Sequence, residues 1–129
     1  MRKPLKREVG TYRLGFRNVR LFVEYDSPNG SVDFIPDDGG TAIVTVGIDS
    51  PLSEAISVLL HELYESILID LNTRYKKMPS FSSESSDFIF IMTHNQLGEA
   101  HERIGIFLTD ALPDFMKAYD KFSTYKDSL

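Results

Sequence analysis

Pro51 divides this chain into two halves with different periodicities. Before it, apolar residues recur every second position, as they do along strands. After it, they recur at spacings of three and four, as they do along one face of a helix. Strand and helix patterns segregated in this way, rather than alternating as β-α-β units, specify an α+β domain. The expected architecture is an N-terminal antiparallel sheet of about three to five strands followed by two long C-terminal helices. The length, 129 residues, fits a single domain.

In the first half, residues 12–17 alternate polar with apolar or small side chains, and residues 19–25 are rich in β-branched and aromatic types. Ser27-Pro28-Asn29-Gly30 is a turn signal and residues 31–35 resume the strand pattern, so 19–35 is expected to form a hairpin. A loop at 36–40 leads to residues 41–48, whose more continuous apolar run suits a more buried strand. In the second half, Ser50 as N-cap and Pro51 as first helical residue open a helix running to about Lys77. The Ser-rich stretch 79–87 is expected to be a mobile loop. Residues 88–92 suit a short strand or the apolar entry to a second helix. The Thr93–Gln96 capping box starts that helix at His94, and Pro113 is expected to end or kink it, with 114–123 as a last helical segment.

Composition removes several chemistries. The chain has no cysteine, which excludes disulfides, thiolate zinc sites, iron–sulfur clusters and thiol catalysis. Metal binding therefore falls to Asp, Glu and three histidines, His61, His94 and His101. The net charge of -5 is uneven. Arg2, Lys3, Lys6, Arg7, Arg13, Arg17 and Arg20 face a single acid, Glu8, in the first twenty residues. This basic N-terminal arm (residues 1–10 at its core) is either a nucleic-acid contact or a solvated strand edge that resists aggregation. No apolar run reaches the ~18–20 residues needed to span a bilayer, and the N-terminus lacks a signal-peptide core. No membrane partner and a cytoplasmic location are expected.

On a helical wheel of residues 52–71, Leu52, Ile56, Leu59, Leu60, Leu63, Ile67 and Leu71 form a broad stripe expected to face the sheet. The other side carries Val58, Leu68 and Ile69, and among them His61, Glu62 and Glu65; of these, His61 and Glu65 are expected to point into a seam beneath another element. His61-Glu62-Leu63-Tyr64-Glu65 is an HExxE string. Its i, i+4 spacing stacks an imidazole and a carboxylate on one helix face, where both can reach one Zn²⁺. Glu62 occupies the place of the general base in HExxH helices. His94, at the positive end of the second helix, is kept neutral and is the candidate third ligand. His101 lies ~10 Å further along and is the alternative. The pattern is short, and Glu65 paired with a nearby Lys or Arg, with His61 a core-edge histidine bonded to a carboxylate, would also account for it. His94, Leu97, His101, Ile104 and Leu108 share a stripe that could pack on the first helix.

Leu59-Leu60-His61-Glu62-Leu63-Tyr64-Glu65-Ser66-Ile67 resembles the active-site helix of minimal zincin-like proteins, in particular small phage and prophage proteins. Val46-Gly47-Ile48-Asp49-Ser50 is similar to the strand and acidic turn that precede that helix. Thr93-His94-Asn95-Gln96-Leu97 is similar to their downstream helix opening. The resemblance implies a zincin-like fold, His61, Glu65 and His94 as metal ligands, Glu62 as base and metallopeptidase activity. It would also place a phage-encoded chain in the host cytoplasm. The glutamate in place of the second histidine departs from HExxH.

Asp37-Asp38-Gly39-Gly40 lacks the alternating ligands of a calcium loop, and no phosphate-binding glycine motif is present. A pair of glycosidase-type carboxylates stays open, because spacing in space is not readable from sequence. The expectations are therefore a zinc protein acting on a protein or peptide, or a non-enzymatic accessory module. The module would use Phe81, Phe88, Phe90 and the basic arm to bind a host factor, nucleic acid or a second copy of itself.

Overall fold

A computed structural model of the chain describes residues 6–34, 40–76 and 88–127. Among them β1 (Lys6–Leu14), β2 (Arg17–Glu24), β3 (Gly30–Phe34) and β4 (Ala42–Gly47) form one sheet. Helix α1 (Leu52–Asp70), a short pair β5 (Arg74–Lys76) and β6 (Phe88–Phe90), and helix α2 (His94–Asp127) follow. The architecture is α+β, with the sheet in the N-terminal half and two helices after it. No helix of the described residues is long and apolar enough to cross a membrane. The Ser-rich stretch, Phe81 and the first five residues lie outside the described residues.

The sheet order is β1-β2-β4-β3 and the sheet is mixed, not antiparallel throughout. β1 and β2 form a hairpin across Gly15, whose φ of 63° admits a reversal inside the segment 12–17 expected to be one strand. β2 and β3, expected to pair, are separated by β4, which lies parallel to β2 and antiparallel to β3. Hydrophobicity explains the exchange. Ala42, Val44 and Val46 lose all exposure in the central position, whereas β3, with Ser31 and Asp33, tolerates the edge. The 25–29 connection then has to cross the end of β4. Gly47 N–H donates to Asn29 O (2.6 Å), and Asp49 N–H to Ser27 O (3.1 Å). A β-carbon on Gly47 would lie 2.1 Å from Ser27 O.

Both helices cover the sheet face that carries Val19, Leu21 and Val23. α1 begins with Pro51 as N-cap, not Ser50. The Ser50 side chain caps nothing, and its Oγ is buried without a hydrogen-bond partner. α1 also ends well before Lys77. Asn72 takes φ 59°, its N–H bonds Ile69 O, and Thr73 N–H bonds Leu68 O. These are the two bonds of a Schellman stop, with Asn in the position usually held by Gly. The end is anchored by Arg17, which bonds both carboxylate oxygens of Asp70 at 2.7 Å and Gly40 O at 2.7 Å.

The capping box at the start of α2 forms as expected, with Gln96 N–H donating to Thr93 Oγ1 (3.1 Å) and Thr93 N–H to Gln96 Oε1 (2.8 Å). The buried stripe of α2 is Ala100, Ile104, Phe107, Ala111 and Phe115, rotated from the expected one. Aromatic contact selects it, because Tyr12 meets Phe107 edge-on with centroids 5.5 Å apart. Pro113 does not end α2. Pro113 and Thr109, whose carbonyl it leaves unbonded, are both exposed, so water can satisfy that carbonyl.

Two glycine substitutions separate backbone need from helix propensity. Gly47→Ala forces a side chain into the crossing 25–29 backbone and should lower stability by about 3 kcal/mol or more. Gly98→Ala, in a helix position with open space around it, should raise stability by about 0.5–1 kcal/mol. Urea unfolding followed by circular dichroism measures both.

Candidate metal centre

The buried stripe of α1 runs through Ala55, Leu59, Glu62 and Ser66, at spacings of four, three and four. It therefore includes Glu62, which the sequence pattern places on the outer side. Glu62 is 7% exposed and lies beneath edge strand β3. A β-carbon on Gly30 would stand 2.9 Å from Glu62 Cγ and 3.0 Å from its Oε1, so the strand can rest on the glutamate because residue 30 has no side chain. His61 projects about 100° away around the helix and its side chain is 71% exposed. It stands at the mouth of a pocket, not within a closed seam. Glu65, at 32%, lies between the two environments.

His61 Nε2 and Glu65 Oε2 are 3.4 Å apart. Two ligands held at ~2.1 Å by a tetrahedral ion are separated by about the same distance. A nitrogen of His61 and carboxylate oxygens of Glu62 and Glu65 all lie within 4.8 Å of one another, a group that could hold a metal ion. One imidazole and two carboxylates suit zinc and other borderline-to-hard divalent cations. Between these residues and β3 is a cavity of about 430 Å³, which Val32, Phe34 and Ile69 line with apolar surface. Burial raises the Glu62 carboxyl above its ordinary value. The neighbouring Glu65 charge raises it further, and His61 opposes both.

The other two histidines lie elsewhere. Gln96 Nε2 donates to Leu71 O (3.4 Å), so α2 begins beside the end of α1, ~15 Å along its axis from His61. His94, exposed at the opening of α2, does not belong to the His61–Glu62–Glu65 group. His101 lies nearer the middle of α1, where its Nδ1 meets the Tyr64 hydroxyl and the two rings pack edge to face at 5.4 Å. Gly30 and Phe34 went unrecognised as parts of the site. Their signal, an Asn-Gly turn before a strand, has the same form when the strand is paired elsewhere.

No protein-family model matches the chain, and no match was found among curated proteins or solved structures.

Glu62 gives the centre a pH signature. Its carboxyl ionises less readily in the folded chain than in the unfolded one, so its ionisation opposes folding. The corresponding stability is complete below the unfolded value near 4.5 and is lost as pH rises through the higher folded value. In metal-free buffer Glu62→Gln should melt a few degrees above the parent at pH 7, and the gap should close by pH 4. A gap independent of pH would show that Glu62 does not ionise in this range.

Proposed function

We propose that this protein binds zinc and hydrolyses peptide bonds at the α1–β3 pocket. The observation that carries this reading is the convergence of His61, Glu62 and Glu65 on one wall of a cavity whose other wall is a sheet edge. The His61 imidazole and the Glu65 carboxylate would hold the ion, with Glu62, the third member of the group, left as base. Zinc supplies, when bound, an acidified water and a polarised carbonyl. Glu62, whose carboxyl burial raises above its ordinary value, would take a proton from the attacking water and return it to the leaving amine. The outer edge of β3 offers main-chain partners to an extended peptide, and Val32, Phe34 and Ile69 offer apolar contact for its side chains. The small phage-type zincins that the α1 string resembles fit this reading.

A second reading is an interaction module without hydrolytic activity. It draws on Ile89, Phe90, Ile91 and Leu97, which expose 41%, 39%, 59% and 38% of their surface around β6 and the start of α2.

Zinc analysis of untagged protein decides between them. The first reading expects one equivalent of zinc. It also expects stabilisation by about 2.7 kcal/mol when free zinc is about 100 times Kd. His61→Ala and Glu65→Ala should each weaken zinc binding by at least about tenfold. Glu62→Gln should keep zinc within a few-fold and lose hydrolysis of a casein substrate. Substoichiometric zinc with no thermal shift on its addition would overturn the proposal.

A further inference from the structure

At the opposite edge of the sheet, β1 and the C-terminal half of α2 enclose a second cleft, of about 280 Å³. A β-bulge at Glu8–Gly10 shifts the register of β1 against β2. Without it, Arg7 and Tyr12, five residues apart, would point to opposite faces of the sheet. With it, Arg7 pairs with Val23 and Tyr12 with Val19, both partners being on the helix-covered face. Arg7 is thereby turned toward α2, where Lys117 and Lys121 line the same cleft one helical turn apart.

These three cations are exposed and have no ion-pair partner among the described residues. Two acids also line the cleft, but both are engaged elsewhere. Glu8 is held by Arg20 through two hydrogen bonds, at 3.0 and 3.3 Å, which keep its carboxyl below the usual range. Asp114 accepts the Tyr12 hydroxyl at 2.7 Å. Three cations on two elements thus face two carboxylates, a local positive excess in a chain of net charge -5. The cleft also contains Tyr25, whose ring is braced in a stack on Phe122 with centroids 4.9 Å apart and planes at 16°.

We propose that this cleft binds a nucleotide phosphate. Arg7, Lys117 and Lys121 neutralise the phosphate, and the base lies against Tyr25. The ligand chemistry is the same whether it is a free nucleotide or one unit of a single strand. The site is independent of the α1–β3 pocket, since β1 and β3 are opposite edges of the sheet.

Fluorescence anisotropy of the full chain with labelled dT12 in low salt tests this, with AMP and inorganic phosphate as competitors. The combined variant Lys117→Gln/Lys121→Gln changes only exposed side chains. It should weaken binding by about tenfold or more and reduce the salt slope by up to ~0.7, the value for one neutralised phosphate of a single strand. Arg13→Gln, exposed on the other face of β1, should change affinity less than about twofold. AMP should compete better than phosphate. If AMP matches dT12 the ligand is a free nucleotide, and if dT12 binds at least about tenfold tighter it is a strand; either supports the site. No binding of dT12 or AMP, an unaffected double variant, an equal loss in Arg13→Gln, or phosphate competing as well as AMP would each overturn it.

Discussion

Ala42, Val44 and Val46 leave water completely, and the position this requires for β4 determines where everything else goes. A strand with so much apolar surface needs a neighbour on each side and a helix above. β2 and β3 supply the neighbours, so β3 is displaced from the hairpin that its turn sequence suggests and becomes an edge. The chain leaving β4 enters α1 directly, and α1 packs beneath β3 and β4. The cavity beside His61 is a by-product of this arrangement, because a short polar edge strand does not fill the space above the helix.

Two elements of the proposed binding chemistry arise from irregularities in otherwise regular structure. At one edge of the sheet, the missing side chain of Gly30 lets a strand settle on a glutamate and raise its proton affinity. At the other, one extra residue in β1 reverses the side to which Arg7 points. In both places the strand stays in the sheet while one side chain acquires a new environment. The basic residues of the N-terminal region divide accordingly. Arg17 and Arg20 are used structurally, against Asp70 and Glu8, whereas Arg7 is left with charge to spare.

Sequence periodicity was sufficient for the fold class, for the burial of β4 and for the start of α2, since each depends on local pattern or a local cap. It failed where the outcome depends on partners distant in sequence. Nothing in 19–35 announces that another strand will separate its two halves. The end of α1 was legible in principle, because Asn72 takes left-handed backbone readily, but a search for Gly and Pro passes over it. In the candidate metal centre, the i, i+4 relation of His61 to Glu65 was visible because one helix carries both. The burial of Glu62 was not, because it depends on a strand thirty residues earlier. The separation of His94 from His61 was equally hidden, since it follows from how far along α1 the second helix docks.

The close approach of Gly30 to Val58 and Glu62 makes the three positions a single steric unit. Residue 30 can acquire a side chain only if both helix side chains give way or the strand lifts from the helix. Drift at any one of them is therefore tied to the others. A descendant of this chain that keeps the carboxylate under the strand has to inherit the glycine with it.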